Sequence, residues 1–250
     1  MSLVHTLEDI SNHALPARLT LDYDGWLLRV ADSPMRRANS AQAYAPSTLP
    51  LDEKIAYCEM FYRAHERRIV FKMISTWEPS TLAAALIKRG YVEDCLTSIQ
   101  VCDLVAGAAP VLPDGLTLEV LPQADDAWQA ENRQLHDPTE RPLLATPGMY
   151  AAITAQIGCF RLMRVGETVG MGLGVLERGW LGLYTLIVAA EQRGRGYGTA
   201  LVQALLHWGV SQGAHSAYLQ VMCDNASAMR LYSRIGFREV YRYWYLQRHE

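Results

Sequence analysis

The chain has 250 residues, 23 Lys+Arg against 26 Asp+Glu and a formal net charge of -3, with half its residues hydrophobic and a fifth charged. This balance excludes a disordered or fibrous chain, and the bulk charge gives no support for a nucleic-acid or membrane-surface protein. At roughly 100–200 residues per domain, the length fits one large domain or two small ones.

Five scattered cysteines, Cys58, Cys95, Cys102, Cys159 and Cys223, form no C-x-x-C pair. The pattern predicts neither a disulfide framework nor a zinc site, and suits a reducing compartment. Residues 1–13 lack a basic segment followed by an apolar run, so no signal peptide is expected. The longest uncharged apolar stretch, 180–190, has 11 residues, short of the about 20 that span a bilayer. A soluble cytoplasmic protein without a metal or a membrane partner is expected.

In chain order, 25–31 reads as a strand, and 51–66 as a helix opened by Pro50 with Asp52 and Glu53 in its first turn. A strand at 68–75 precedes a helix at 79–90, with Pro79 near its start and Gly90 as its C-cap, and then an alternating strand at 96–104. The Gly-, Ala- and Pro-rich segment 105–117 reads as a linker, dividing the chain into domains at 1–108 and 109–250. Beyond it come a strand at 116–121, helices near 125–135 and 148–157 separated by a proline-rich loop, two strands around a turn at 166–168, and the wholly apolar strand 180–188. A glycine-rich turn leads into an amphipathic helix at 198–212, a strand at 217–222, a helix at 227–235 and a last strand near 240–246. The order predicts an α/β (α+β) fold with a mixed sheet flanked by helices. Setting Gly90 on Gly236 aligns two strand–loop–helix–Gly-aromatic–strand units, with Pro79 on Asn225 and Leu86 on Tyr232, which reads as a diverged duplication.

The most informative segment follows the apolar strand ending at Val188: Arg193-Gly194-Arg195-Gly196-Tyr197-Gly198, then Thr199 in the opening helix. Glycines let the chain turn sharply and let a ligand approach the backbone. Successive N–H groups and a helix N-terminus form a donor array suited to phosphate. A plain tight connection and a short Arg/Gly nucleic-acid segment are the competing readings of the turn taken alone. A Walker A loop is excluded for want of Lys followed by Ser or Thr, and the glycine spacing is not that of a dinucleotide fingerprint.

The turn, R-x-x-G-x-G after an apolar strand, resembles the coenzyme A pyrophosphate loop of the GNAT N-acetyltransferase superfamily. The segment from Asn225 through Ala228 and Tyr232 to Gly236-Phe237 resembles that family's second signature, N-x-x-A-x-x-x-Y-x-x-x-G-F. The resemblance covers roughly 116–250 and implies two tandem GNAT-like domains, the first partial. It implies acetyl-CoA as co-substrate, with Leu186 and Val188 giving backbone contacts to the pantetheine arm like an added strand. The Val188 N–H would polarise the acetyl carbonyl as an oxyanion-hole donor. Arg193, Gly194, Arg195, Gly196, Tyr197, Gly198 and Thr199 would bind the pyrophosphate, and Asn225 the pantetheine arm. Tyr232 would protonate the departing thiolate, its phenol being a protonated donor at neutral pH.

The base is open. Tyr184 stands where some relatives carry a glutamate; it can order a water but is a poor base. Glu191 at the loop entrance, a water, or an amine arriving neutral are the alternatives. His136 flanks the expected acceptor site, while His207 and His215 read as structural, and Asp125, Asp126 and Glu131 as solvated carboxylates. The first domain has no R-x-x-G-x-G turn and is expected neither to bind coenzyme A nor to catalyse, but to help shape the acceptor pocket; Trp77 and the run Arg36-Arg37-Ala38-Asn39 are candidate linings. The implied function is transfer of an acetyl group to a primary amine of a small molecule or peptide by direct transfer in a ternary complex. The alternative is a coenzyme A-binding sensor without turnover.

Overall fold

Helical and alternating patterns resolve into the elements below, in a computed structural model that describes residues 2–77 and 80–248. Pro79, expected to open a helix, lies outside the described residues. The N-terminal half carries α1 (Leu3–Ala14), β1 (Leu19–Tyr23), β2 (Trp26–Val30), β3 (Ala41–Ala43), α2 (Leu51–Ala64), β4 (Val70–Ile74), α3 (Ser80–Lys88) and β5 (Val92–Asp103). The segment 104–115 has no regular element. The C-terminal half carries β6 (Leu116–Leu121), α4 (Asp126–Leu135), α5 (Pro147–Ala151), β7 (Gln156–Arg164), β8 (Glu167–Glu177), β9 (Trp180–Val188), α6 (Tyr197–Ser211), β10 (Ser216–Met222), α7 (Ala226–Ile235) and β11 (Arg238–Gln247).

One expectation is corrected, and three further elements appear. The helix read at 148–157 ends at Ala151, because β7 already begins at Gln156 and pairs with Leu176. α1, β1 and β3 were not anticipated. Ser2 caps α1 by accepting the His5 N–H, and Leu7, Ile10 and Ala14 bury one helical face.

The strands form one sheet in the order β1-β2-β3-β4-β11-β5-β10-β9-β8-β7-β6. The last strand of each half has changed places. β11 pairs with β4, β5 pairs with β10, and the two exchanged strands pair with each other. A constant separation of 146 residues relates α2 to α6 (Leu51 to Tyr197), β4 to β10 (Val70 to Ser216), and α3 to α7 (Ser80 to Ala226). It also relates Gly90 to Gly236, both left-handed with φ of +83° and +108°. The β5–β11 ladder obeys the same relation: Arg238 faces Val101 and Gln247 faces Val92, and each pair maps onto the other. The halves are therefore a structural duplication. The strand before α2 departs from this separation. Ala41 opposite Phe71 and Leu181 opposite Ala217 hold equivalent places but lie 140 residues apart, so the N-terminal connection is six residues shorter.

Alternation along the strands divides the core between two faces. On one, α6 and α7 pack Leu201, Leu205 and Tyr232 against Leu181, Leu183, Leu219 and Val221, and the N-terminal helices pack Ile55, Tyr62, Leu82 and Leu86 with Phe71 and Tyr91. The other face buries Trp128, Tyr150, Tyr184, Tyr218 and Tyr243 with Leu7 and Ile10 of α1. Here Glu8 is fully buried, ion-paired with the Lys72 ammonium and accepting the Tyr241 hydroxyl at 2.7 Å. Such a pair adds little net stability, but removing one partner strands the other charge.

Candidate active site

β9 and β10 run parallel from Trp180–Ser216 to Leu183–Leu219 and pair no further. Beyond that point β9 bulges: its register against β8 shifts between Tyr184 and Ile187, and Thr185 takes φ +53°. The strands part there, and a groove of about 650 Å³ opens between the end of β9, the glycine turn and α7.

Backbone pairing fixes what the groove offers. The Ala189 N–H donates to the Val169 carbonyl at 2.9 Å, making these a hydrogen-bonded pair. In an antiparallel ladder the preceding residue, Val188 opposite Gly170, turns its N–H and C=O to the other edge, where β10 has departed. The Val188 carbonyl accepts from Arg193 Nε at 3.1 Å, and its N–H stays directed at the opening.

The turn itself is a donor array. Gly194 and Gly196 hold φ of +78° and +81°, the left-handed region that favours glycine. Gly196 is the N-cap of α6 and carries no capping side chain. The N–H groups of residues 194–199 donate to no acceptor among the described residues. Six consecutive free amides at a helix N-terminus suit a diphosphate. Buried Tyr197, packed with Leu162 and Val169, anchors the turn from below.

The expected residues mostly converge. Leu186, Val188, Arg193, Gly194, Gly196, Tyr197, Gly198, Thr199, Asn225 and Tyr232 all line the groove. Arg195 is exposed and outside the lining. Asn225 also caps α7, its Oδ1 accepting the Ala228 N–H at 3.1 Å, with its Nδ2 unengaged among the described residues. Tyr232 is 9% exposed. Its hydroxyl has no hydrogen-bond partner among the described residues, and burial pushes its pKa up to about 12, so the phenol holds its proton throughout the neutral range.

Tyr184 lies elsewhere. It projects to the opposite face, where its hydroxyl meets the Tyr218 hydroxyl at 2.8 Å, and burial raises its pKa. Glu191 is exposed. His136 pairs through Nδ1 with Glu140 Oε2 at 3.4 Å, and Glu140 lines the groove. His215 bonds Ser216 at the far end of β10. Ser227, Arg230, Leu231 and Arg234 also line the groove and were missed. Their spacing of three and four on α7 is the signal that places them on one face with the groove. Among the described residues no group of three His, Cys, Asp or Glu side chains is placed to hold a metal, and no helix is long and apolar enough to cross a membrane.

A parallel strand pair that parts at a bulge, followed by a glycine turn with free amides, defines a GNAT-superfamily acetyltransferase. The family described as probable histone acetyltransferase Rv0428c, C-terminal, matches residues 2–246, and the chain belongs to it. The chain is 25% identical over 247 residues, 98% of both chains, to the uncharacterized N-acetyltransferase YobR of Bacillus subtilis. It is 35% identical over 146 residues to the mycothiol acetyltransferase of Streptomyces griseus, a match covering 52% of this chain and 45% of that protein. In fold it is similar to a GCN5-related N-acetyltransferase from Kribbella flavida, with TM-score 0.73, 16% identity and coverage of 100% and 97% of the two chains. A tandem GNAT protein from the clavulanic acid biosynthesis pathway aligns with TM-score 0.67 and 13% identity over 98% and 88%.

Proposed function

We propose that the protein is an acetyl-CoA-dependent N-acetyltransferase that moves the acetyl group directly to a primary amine in a ternary complex. The observation that carries this reading is the run of free amides at 194–199 beside the outward Val188 N–H. Acetyl-CoA supplies the activated thioester. The turn amides, with Arg193, Arg230 and Arg234 nearby, hold its diphosphate by charge-assisted bonds. Leu186 and Val188 pair with the pantetheine arm along the edge that β10 leaves open, and the Asn225 Nδ2 donates to the same arm. The Val188 N–H takes the charge that grows on the carbonyl oxygen. The Tyr232 phenol gives its proton to the departing sulfur.

The division of labour between 1–108 and 109–250 belongs to the same proposal. The six residues missing before α2 remove the glycine turn, and Leu86 replaces Tyr232 at the equivalent helical place, so the first domain neither binds coenzyme A nor transfers. It closes the acceptor side of the sheet. One relative is named mycothiol acetyltransferase and the matching family probable histone acetyltransferase; the acceptor here is a small-molecule or peptide amine. Five free thiols fit residence in the reducing cytoplasm.

Thiol release from acetyl-CoA across a panel of amines tests the reading. Amine-stimulated release that is lost in Tyr232→Phe supports the enzyme. Saturable coenzyme A binding with no release for any amine overturns transfer in favour of a sensor.

A further inference from the structure

The groove touches both faces of the sheet where β9 ends. Leu186 packs with the α6 and α7 set, while Ile187 packs with Ala145, Met149 and Tyr150 on the face that α4 and α5 cover, and both residues line the groove. The wall from the glycine turn to α7 is built of amides and cations, with Arg193, Arg230 and Arg234 standing along it. Among the described residues a single carboxylate joins this lining, that of Glu140. It comes from the loop between α4 and α5, which Leu135 and Ala145 tie to the Ile187 face. Glu140 therefore meets the groove from the side opposite α6 and α7.

The loop holds the carboxylate in place. The Asp137 carbonyl accepts the Glu140 N–H at 2.9 Å, and its carboxylate accepts the Thr139 N–H at 2.9 Å and the Thr139 hydroxyl at 2.6 Å. Arg141 Nε donates to the His136 carbonyl at 3.1 Å. The contact of His136 Nδ1 with Glu140 Oε2 at 3.4 Å is the ring's one hydrogen bond among the described residues, since its Nε2 is buried without a partner. The Glu140 side chain is 62% exposed, and its Oε1 bonds no described residue. One oxygen is thus held by the imidazole, and the other is open to a molecule entering the groove.

Charge decides what that molecule is. Coenzyme A is a polyanion, and a carboxylate beside its diphosphate would repel it. Across the groove from the turn, the same charge meets the acceptor instead. A primary amine is a cation at neutral pH and cannot attack until it sheds a proton. A carboxylate within reach both attracts the ammonium and takes that proton.

We infer that Glu140 receives the acceptor's ammonium and is the general base of the transfer, with His136 as the residue that positions it. The inference rests on the transfer reading above and supplies it with a base. The ammonium proton passes to Glu140, leaving an electron pair on nitrogen. That pair forms the C–N bond at the thioester carbonyl carbon. The C–S pair leaves on sulfur, which takes the Tyr232 proton. The adduct's surplus N–H proton restores the Tyr232 phenol, and Glu140 releases its own proton to water.

The test pairs binding with turnover. Full-length protein loaded with coenzyme A is titrated by calorimetry with ethylamine, benzylamine, glycinamide and a lysine-containing peptide, and with uncharged matches in which the amine is replaced by a hydroxyl. At least one ammonium should bind about tenfold or more tighter than its match. Glu140→Gln should remove that preference, and coenzyme A affinity should not fall. With acetyl-CoA, Glu140→Gln should lower kcat for the same amine by about 10²-fold or more. His136→Ala should lower it about tenfold, and His136→Asn, which keeps an amide donor near the Nδ1 place, should restore part of the loss. Ammonium and match binding alike, no ammonium binding, or a preference untouched in Glu140→Gln overturns the inference. Amine turnover at an unchanged kcat in Glu140→Gln leaves the enzyme standing and removes Glu140 as its base. An unchanged kcat in His136→Ala removes the positioning role. Glu140-dependent ammonium binding without turnover of any amine leaves the ammonium site standing and removes the transfer reading.

Discussion

Thr97 and Tyr243 face each other across the β5–β11 ladder and mark its pseudo-twofold axis, for they are separated by the same 146 residues that relate Gly90 to Gly236. Irregularities in the ladder flank the pair on both sides, between Glu239 and Tyr241 and between Tyr243 and Tyr245. Strand exchange about this axis makes each half's sheet depend on a strand from the other.

A chain ending at 236 therefore loses β11, which lies between β4 and β5 and pairs with both. Exposed edges of buried apolar strands such as β4 do not persist in water. The full chain should melt in one cooperative transition by circular dichroism, and both the 1–236 and the 1–108 fragments should show none. A cooperative melt of 1–108 alone would show that the exchange is dispensable.

Tyr232→Phe removes only a hydroxyl that bonds no described residue, so folding and coenzyme A affinity should be unchanged. The turnover number should fall by about 10²–10⁴-fold, the usual contribution of a positioned acid. Steady-state kinetics beside a coenzyme A titration separates the two effects. An unchanged turnover number removes Tyr232 from the chemistry.

At Gly196 an added Cβ meets nothing within 4 Å, yet φ is +81°. Gly196→Ala should cost roughly 1–2 kcal/mol through backbone strain alone, as a lower melting point or as a turn that relaxes and misaims its amides. Coenzyme A affinity should drop about tenfold in the second case, about 1.4 kcal/mol in free energy. Wild-type affinity together with a wild-type melting point contradicts the assigned turn.

Burial raises the pKa values of Tyr44 and Tyr232 to about 12, and those of Tyr184, Tyr218, Tyr241 and Tyr245 as well. Free tyrosine ionises near 10. A raised folded-state pKa means that the native state holds these protons more tightly. The associated stability is fully present below about pH 10 and is lost as pH climbs toward 12 and beyond. Phenolate absorbance near 295 nm should rise in two stages, exposed tyrosines first and buried ones together with unfolding. The melting point should fall steeply above about pH 10. A single titration of all 13 tyrosines near pH 10 with no loss of structure contradicts this.

The C-terminal half was legible because its signals are local. An apolar run, a glycine turn and an amphipathic helix each declare themselves within a few residues, and the order placed Val188, Gly194, Gly196 and Tyr232 around one groove. The N-terminal elements were less so. Glu8 interrupts the apolar face of α1, and its partner Lys72 lies 64 residues away. β3 is three residues long, too short for a period to show. The exchange of β5 and β11 was invisible, because alternation tells a strand which face to bury but not which neighbour to take. The fate of Tyr184 was hidden for the same reason: its hydroxyl is claimed by Tyr218 on a strand 34 residues away.

The most direct test of the central claim is a ¹H–¹⁵N titration with coenzyme A, following the amides of residues 194–199 and of Val188. The account predicts that these seven signals move furthest and together, with one dissociation constant. Movement confined to other residues, or none at saturating coenzyme A, contradicts it.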